Sequence, residues 1–355
     1  MDSNFWKNKK VLLTGHTGFK GSWLSIWLKK LGAELVGFSK DIPTKPSLFE
    51  VAKVSEGMIS ITGNIEDFAM IQKVVKENKP EIVIHMAAQS LVRKSYEEPI
   101  TTFATNVMGT VNLLQAIKTT GSTRVLINVT SDKCYENKGT EKAFSENSPM
   151  GGYDPYSSSK GCAELVTSSF RDSFFNLKEF ERHGCSLSSV RSGNVIGGGD
   201  WAKDRLIPDI MNSISKRIPT QIRNTRSIRP WQFVLEPLFG YLILAQRMWE
   251  EGKEFSEPWN FGPDETDCKS VKWILEKISK EWNDGFSWKE DTKDNPHEAE
   301  MLKLDCTKAK KRLGWKTKLD VTETIEWTVN WYKEYFKNSD MKEYTENQID
   351  KFVSL

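Results

Sequence analysis

Residues Lys10–Gly21 read KVLLTGHTGFKG and predict how the chain begins to fold. The first five residues, Lys10–Thr14, are mostly apolar and long enough for a buried strand. A loop with three glycines follows, and Phe19–Leu31 then carries apolar residues at helical spacing. A strand, a glycine-rich turn and a helix in this order predict the first unit of a parallel α/β sheet.

The alternation of strands and helices continues along the first half of the chain. Apolar strands that alternate with helices indicate a parallel sheet covered on both faces. The further predicted strands are Glu34–Phe38, Met58–Ile61, Glu81–His85, Arg124–Thr130 and Ser186–Arg191, and the predicted helices between them are Asp67–Glu77, Pro99–Thr119 and Tyr156–Phe175. We therefore predict an α/β fold with a Rossmann-type, doubly wound parallel sheet.

Beyond Arg191 the pattern is less regular and predicts a smaller, mixed α/β C-terminal cap that binds the substrate. Helices are predicted there at Leu235–Met248, Ser270–Trp282 and Asp320–Tyr335. The expected domains are a dinucleotide-binding domain (1–191 with a returning segment at about 232–258), the cap (192–231 and 259–340) and a C-terminal tail (341–355).

The composition is that of a globular protein without a polyanion or membrane partner. The net charge of the 355 residues is only +2, which provides no basic surface for nucleic acid. No apolar run approaches the roughly 18 residues that a membrane span needs, and no secretory signal is recognisable. Five scattered cysteines without a CxxC pair favour a reducing compartment and argue against disulfides and a metal site. We expect a cytoplasmic protein.

The three glycines of the first loop, Gly15, Gly18 and Gly21, have the spacing GxxGxxG. Glycines permit the tight turn and let the backbone approach a pyrophosphate, while the helix N-terminus supplies free N–H donors. This position, between a strand and a helix, predicts a dinucleotide cofactor.

The adenosine end of that cofactor is less clearly specified. An acid usually binds the ribose at the end of the second strand, but residues 38–41 read FSKD, so no carboxylate stands at the expected place. Because Lys40 could accept a 2′-phosphate, charge alone leaves both NAD and NADP open. Asn64 and Ile65 follow the third strand, where contacts to the adenine are expected.

Tyr156 and Lys160 lie four residues apart at the start of a predicted helix, and therefore on one face of it. A neighbouring ammonium favours the phenolate, so we expect it to lower the pKa of the tyrosine and to support acid–base chemistry on a hydroxyl. Thr130 and Ser131 end the preceding strand. Because neighbouring residues alternate in direction, only one of these hydroxyls can face the site.

Together these motifs resemble the extended short-chain dehydrogenase/reductase family of nucleotide-sugar enzymes. The resemblance covers most of the chain and rests on residues 15–23 (GHTGFKGSW), 85–89 (HMAAQ), 106, 129–135 (VTSDKCY), 156, 160, 191–194, 197–201 (GGGDW) and 204–209 (DRLIPD). Within the family, the GHTGFKGSWL and SDKCY forms are most similar to the branch of CDP-glucose 4,6-dehydratases.

The resemblance implies a hydro-lyase that uses NAD and regenerates it in each turnover. CDP-glucose would lose water and become CDP-4-keto-6-deoxyglucose, for deoxysugar biosynthesis such as that of lipopolysaccharide O-antigen. Tyr156 would deprotonate the C4 hydroxyl, hydrogen-bonded by Ser131, while Asp132 and Lys133 stand where 4,6-dehydratases carry their acid and base. Many relatives have Asp-Glu there. A lysine acts as a base only when neutral and an aspartate as an acid only when protonated, so the division of these roles stays open.

The resemblance also implies which residues surround the ligands. Around the cofactor these are Gly15, Thr17, Gly18, Phe19, Gly21, Ser39, Asn64, Ile65, Ala87, Ala88, Gln89, Asn106, Tyr156 and Lys160. Asn194, Arg205 and Arg229 are implied for the nucleotide sugar; Arg191 and Arg226 are further candidates for its phosphates. A homodimer or homotetramer is implied, with Thr101–Thr119 and Tyr156–Phe175 as its helices.

Four alternatives use the same scaffold. A nucleotide-sugar 4-epimerase would share Tyr156 and Lys160 but would not need Asp132 and Lys133. A GDP- or dTDP-linked 4,6-dehydratase or an oxidoreductase with exchangeable NADP would also fit the core motifs. A non-catalytic dinucleotide-binding scaffold is disfavoured, because the tyrosine, the lysine, the aspartate and a hydroxyl are all present.

Overall fold

A seven-stranded, fully parallel sheet forms the centre of the protein, as seen in a computed structural model that describes residues 2–139, 142–283, 286–291 and 302–355. The strands are β1 (Lys10–Thr14), β2 (Glu34–Ser39), β3 (Ile59–Thr62), β4 (Ile82–His85), β5 (Val125–Val129), β6 (Ser186–Arg191), β7 (Val195–Ile196), β8 (Thr220–Ile222), β9 (Ile228–Pro230), β10 (Gln232–Phe233), β11 (Trp259–Asn260), β12 (Cys268–Ser270) and β13 (Trp288–Glu290). The large sheet has the order β11-β6-β5-β4-β1-β2-β3.

The sheet reverses its direction of growth at β1, which pairs with β2 on one side and β4 on the other. Doubly wound sheets bind their ligands at such a switch point, outside the carboxyl ends of the strands. The remaining strands form three pairs beyond the sheet, β7 with β10, β9 with β12 and β8 with β13. The predicted Rossmann-type sheet with a smaller C-terminal part is confirmed.

Helices cover both faces of the sheet. They are α1 (Phe19–Lys30), α2 (Leu48–Val51), α3 (Phe68–Asn78), α4 (Val92–Glu97), α5 (Pro99–Phe103), α6 (Gly109–Thr120), α7 (Pro155–Ser173), α8 (Phe180–His183), α9 (Leu206–Ser215), α10 (Leu235–Glu250), α11 (Gly252–Phe255), α12 (Val271–Trp282), α13 (Val321–Phe336) and α14 (Met341–Ser354). Short 3₁₀ turns occur at Ser3–Trp6, Asp132–Cys134, Leu177–Glu179 and Glu265–Asp267, and π turns at Ala104–Met108 and Ala309–Leu313.

Successive residues of β1 reach two separate cores, because strand side chains alternate between the faces. Val11 and Leu13 pack with the apolar side chains of α1 and α10, whereas Leu12 packs with those of α3 and α6. Burying both faces requires near-continuous apolar strands, which is why the pattern of the first half predicts this sheet.

Several elements differ from the prediction. The helix predicted over Pro99–Thr119 contains the π turn Ala104–Met108, and α4 and α9 were not predicted. Residues 341–355, predicted as a tail, form α14, which buries Phe352 completely against Trp27. The predicted cap includes residues 284, 285 and 292–301, which lie outside the described residues. In the part of the chain that the structure describes, no helix is long and apolar enough to cross a membrane.

Candidate active site

A cavity of about 1020 Å³ opens at the carboxyl ends of β1, β4 and β5, at the switch point of the sheet. Its volume lies at the upper end of the range for single-ligand sites, as expected for a site that holds two ligands. Every residue predicted for catalysis, for the cofactor or for the sugar nucleotide lines this cavity, with three exceptions, Asn106, Arg191 and Arg226.

The glycine loop is shaped by close backbone contacts. Gly15 has φ +78°, and a Cβ there would lie 2.7 Å from backbone atoms of Met86 and Ala87. A Cβ on Gly21 would collide with the carbonyl oxygen of Gly15. No side chain caps the N-terminus of α1 at Gly18, so its N–H groups remain available to the cavity. The loop therefore fits a pyrophosphate.

The adenosine end of the cavity contains hydroxyls. Ser39 Oγ contacts His16 Nδ1 at 2.8 Å and accepts a hydrogen bond from the N–H of Thr17 at 3.3 Å. Burial lowers the pKa of His16 to about 4, so the ring is neutral at pH 7. Asp41 accepts a hydrogen bond from Thr17 Oγ1 through its backbone carbonyl, at 2.6 Å. Ser39 is thus the polar group at the end of β2.

Asn106, predicted to contact the cofactor, does not line the cavity. Its Oδ1 accepts from the N–H of Gln89 at 2.8 Å, and its Nδ2 donates to the carbonyl of Gln89 at 3.0 Å and to Ser159 Oγ at 2.8 Å. Both ends of the amide are therefore used inside the protein. The prediction is corrected: Asn106 fixes the loop after β4 against α7.

Ser131, Asp132 and Lys133 form a tight turn directly after β5. Ser131 Oγ accepts from the N–H of Lys133 at 3.2 Å and donates to Asp132 Oδ1 at 3.0 Å. Lys133 Nζ lies 3.4 Å from the same carboxylate oxygen. The Asp132 side chain is 1% exposed and that of Lys133 is 34% exposed, so an enclosed carboxylate and an accessible amine stand side by side.

Thr130 and Ser131 directly follow β5, and their hydroxyls have different partners. Thr130 Oγ1 donates to Glu164 below the cavity. Glu164 is buried and also binds Arg191 through two nitrogens, at 2.9 and 2.7 Å. Ser131 is therefore the hydroxyl of this pair that is available to a substrate, and Arg191 is excluded as a phosphate ligand.

Tyr156 and Lys160 lie on the first turns of α7, where the side chain of Asp154 caps the helix and Pro155 occupies its first position. Burial raises the pKa of Tyr156, and its hydrogen bond with Ser131 and the charge of Lys133 offset only part of this effect. The predicted lowering of this pKa by Lys160 is therefore wrong in the ligand-free site.

Lys160 Nζ is directed towards the sheet. It donates to the carbonyl of Val129 at 3.3 Å, and burial lowers its pKa to about 8. The charge of Glu164 opposes that effect of burial. This geometry explains why Lys160 does not stabilise the phenolate of Tyr156.

The side chains predicted for the nucleotide sugar line the opposite wall. Asn194, with φ +50°, places Nδ2 3.5 Å from Asp132 Oδ2. Arg205 Nη1 donates to Asp200 at 3.0 Å, and Arg229 Nη1 donates to the carbonyl of the preceding residue at 3.1 Å. Both guanidiniums line the cavity and can bind phosphate oxygens.

Comparisons with known proteins agree with this geometry. The family model described as GDP-mannose 4,6 dehydratase matches residues 12–328. A protein of Salmonella typhimurium (strain LT2) named CDP-glucose 4,6-dehydratase is 54% identical over 354 residues, which cover 100% of this chain and 99% of that protein. The chain belongs to the GDP-mannose 4,6 dehydratase family. The resemblance to extended short-chain dehydrogenases/reductases is thereby confirmed.

Solved structures show the same fold as this member of the GDP-mannose 4,6 dehydratase family. A dTDP-glucose 4,6-dehydratase from Bacillus anthracis in complex with NAD superposes with a TM-score of 0.75 at 20% identity, covering 93% of this chain and 98% of that one. A UDP-glucose 4-epimerase from Thermotoga maritima with UDP-glucose gives 0.78 at 20% identity, over 92% and 99% of the two chains. Dehydratases and epimerases thus share the scaffold.

Sequence reasoning missed several cations that line the cavity of this family member, among them Lys20 and Arg223. Lys20 lies inside the glycine motif. Its charge could have marked it as a site residue, but the motif was interpreted from its glycines alone. Arg223 follows β8, a strand too short for its end to be recognised from the pattern.

His85 is buried between Thr14 Oγ1 (2.7 Å) and Thr110 Oγ1 (3.2 Å), and burial lowers its pKa to about 3, so its role is structural.

Replacing Glu164 with glutamine is expected to lower the free energy of unfolding by about 3–5 kcal/mol, because Arg191 would keep a buried charge without its counterion. Urea unfolding followed by circular dichroism measures this loss. The matched control is Glu179→Gln, which breaks an exposed ion pair with Arg182 and should change stability very little. Equal losses in the two variants would contradict the expected importance of the buried pair.

Proposed function

We propose that this protein is a CDP-glucose 4,6-dehydratase, which converts CDP-glucose to CDP-4-keto-6-deoxyglucose and water with NAD as cofactor. The observation that carries the proposal is the 54% identity, over the whole chain, to a protein with that name. The turn of Ser131, Asp132 and Lys133 beside Tyr156 supports it, because elimination of water needs an acid and a base that epimerisation does not need.

The cofactor fits the phosphate loop and the hydroxyls of the adenosine end. The uncapped N–H groups of the first turn of α1 would hold the pyrophosphate, and Ser39 and Asn64 would contact the adenosine. Bound there, NAD would supply an acceptor for the hydride of the sugar C4 and, once reduced, the donor that returns this hydride to C6. NAD is preferred to NADP in this proposal because the related dTDP-glucose 4,6-dehydratase was solved with NAD.

The oxidation half of the reaction is assigned to Tyr156 and Ser131. Tyr156 takes the proton of the C4 hydroxyl, and Ser131 hydrogen-bonds to the same oxygen. Burial raises the pKa of Tyr156, so the phenol is protonated in the ligand-free site and must lose its proton after the ligands bind. Lys133 and Arg205 are the cations whose charges favour that loss.

The elimination half is assigned to the neighbouring pair. A keto group at C4 acidifies the proton on C5, because the resulting negative charge spreads onto the carbonyl oxygen. The accessible amine of Lys133 removes this proton, the enclosed carboxyl of Asp132 protonates the departing C6 hydroxyl, and the protonated Lys133 returns a proton to C5 when C6 receives its hydride. Arg205, Arg229 and Asn194 hold the nucleoside diphosphate from the predicted cap (192–231 and 259–340).

Incubation with CDP-, dTDP-, GDP- and UDP-glucose, followed by mass spectrometry, tests the proposal. We expect loss of one water from CDP-glucose and no loss from the other three. With deuterium at C4, the label should move to the C6 methyl group. A product of unchanged mass would identify an epimerase instead, and label recovered in free NADH would identify an exchanging oxidoreductase.

Gly193→Ala should lower the rate of CDP-glucose dehydration by about 10²-fold. A Cβ on Gly193 would collide with the Asp132 carboxylate and displace it, and displacements near 1 Å can cost this much. Steady-state kinetics give the rate, and circular dichroism reports on folding. Gly262→Ala is the matched control, because its Cβ would have no neighbour closer than 3.4 Å. A Gly193→Ala variant with the wild-type rate would exclude Asp132 from the mechanism.

We also propose that the protein acts in the cytoplasm as a homodimer or homotetramer. The support is a set of exposed apolar side chains on the region from α5 to α7, namely Ile100 (86%), Met108 (52%) and Leu165 (60%). Large apolar side chains concentrated in one region are typical of protein interfaces. Sedimentation of the full chain measures the oligomeric state, and a monomer at micromolar concentration would contradict this proposal.

A further inference from the structure

Lys20 is a cation of the cavity to which the mechanism above assigns no role. It is the second residue of α1, and its Nζ donates to Ser192 Oγ at 3.0 Å and to the hydroxyl of Tyr241 at 3.1 Å. The two hydroxyls also contact each other at 2.7 Å. Within the described ranges, Lys20 makes no ion pair with a carboxylate. Its amine is therefore held in place by neutral groups.

The position of this amine relative to the cofactor follows from the topology. The adenosine end lies at β2 and β3, and the pyrophosphate lies at the glycine loop, so the nicotinamide must extend across the switch point towards β5 and β6. Lys20 is directed to that side, because Ser192 directly follows β6 and its carbonyl accepts from the N–H of Asp132 at 3.4 Å. The amine thus lies at the end of the site where the sugar is oxidised.

We propose that Lys20 places a positive charge at the nicotinamide end of the site, and that this charge favours binding of the reduced, uncharged nicotinamide over the oxidised, cationic one. The inference rests on the proposed function for the identity of the cofactor. Such a charge would promote oxidation at C4 and would keep the reduced cofactor bound until C6 is ready to be reduced.

Other charged groups contribute to the field at this point. Burial, together with the charges of Lys160 on α7 and Arg205 before α9, lowers the pKa of Lys20 to about 7, and the charge of Asp132 opposes this shift. Measurements at pH 6 therefore keep the amine predominantly protonated. Lys160 and Arg205 remain cationic in any variant of Lys20, so the effect of Lys20 is observed against a constant background.

The test compares dissociation constants of NAD⁺ and NADH for the wild type, Lys20→Met and Lys20→Arg at pH 6, measured by calorimetry without any sugar nucleotide. Lys20→Met removes the charge and keeps most of the chain length. We expect the ratio Kd(NAD⁺)/Kd(NADH) to fall about tenfold in Lys20→Met and to stay within about threefold of wild type in Lys20→Arg. Lys20→Gln serves as a second neutral variant should Lys20→Met fail to fold.

ADP-ribose, which lacks the nicotinamide, is the control ligand, and its affinity should change less than about twofold. An unchanged ratio in both neutral variants would overturn the inference. So would an equal loss of affinity for ADP-ribose, NAD⁺ and NADH, because Lys20 would then hold the pyrophosphate. Failure of the wild type to bind either dinucleotide would instead overturn the proposed function, so the two failures can be distinguished.

Discussion

Tyr156→Phe is expected to lower the rate of CDP-glucose dehydration by two to four orders of magnitude. The substitution removes only the phenolic oxygen, which accepts the proton of the sugar hydroxyl once it is deprotonated. General acid–base assistance of this kind is typically worth 10²–10⁴-fold. The ring stays in its buried position on α7, so folding and NAD affinity should be retained. The measurement is the appearance of the keto sugar under saturating CDP-glucose.

The matched control for this prediction is Tyr344→Phe. Tyr344 lies on α14, is partly buried, and does not line the cavity. Its loss of a hydroxyl should leave the rate within about twofold of wild type. A Tyr156→Phe variant that oxidises C4 at the normal rate would remove Tyr156 from the mechanism.

Lys133→Met should abolish dehydration to a similar extent but should leave the oxidation at C4 intact. The amine beside Asp132 is the base assigned to the C5 proton, and Tyr156 acts before it. We expect absorbance at 340 nm to appear after CDP-glucose is added, with no uptake of solvent deuterium at C5. Lys138→Met is the control, because Lys138 lies at the surface in an ion pair with Glu136.

Asp132→Asn separates the two roles in this pair. An asparagine cannot protonate the departing hydroxyl, so deuterium uptake at C5 should persist while water loss falls. The opposite result, normal C5 exchange in Lys133→Met and none in Asp132→Asn, would reverse the assignment of acid and base.

The parallel sheet was predictable because most of its strands are buried on both faces. β1 and β6 match their predicted bounds. For β1 the reason is its central apolar run, which a parallel strand between two layers of helices requires, whereas in β6 only Leu187 and Val190 are apolar. The small paired strands β7 and β10 each have two residues, too few to show any period. α9 was missed because it follows a glycine-rich loop whose residues were interpreted by motif rather than by spacing.

Site residues were predictable where the residue type and its spacing together occur in few other structural settings. Glycines after a strand and a Tyr–Lys pair on one helix turn require little tertiary information. Side-chain direction does require it: Asn106 and Arg191 are polar and near the site along the chain, but their partners are Gln89 and Glu164 inside the protein. The pKa of Tyr156 was also unpredictable, because it depends on burial, which spacing does not reveal.

Helix α14 packs on the core that contains the apolar side chains of α1 and α10. Lys30, at the end of α1, bonds to Asp350 across 320 positions, and Phe352 packs on Trp27 nearby. At ribosomal rates of roughly 5–20 residues per second, about 16–64 s pass between the synthesis of α1 and that of α14. Throughout that interval the face of the Trp27 indole that Phe352 later covers lacks this partner, so the nascent chain exposes more apolar surface than the finished protein.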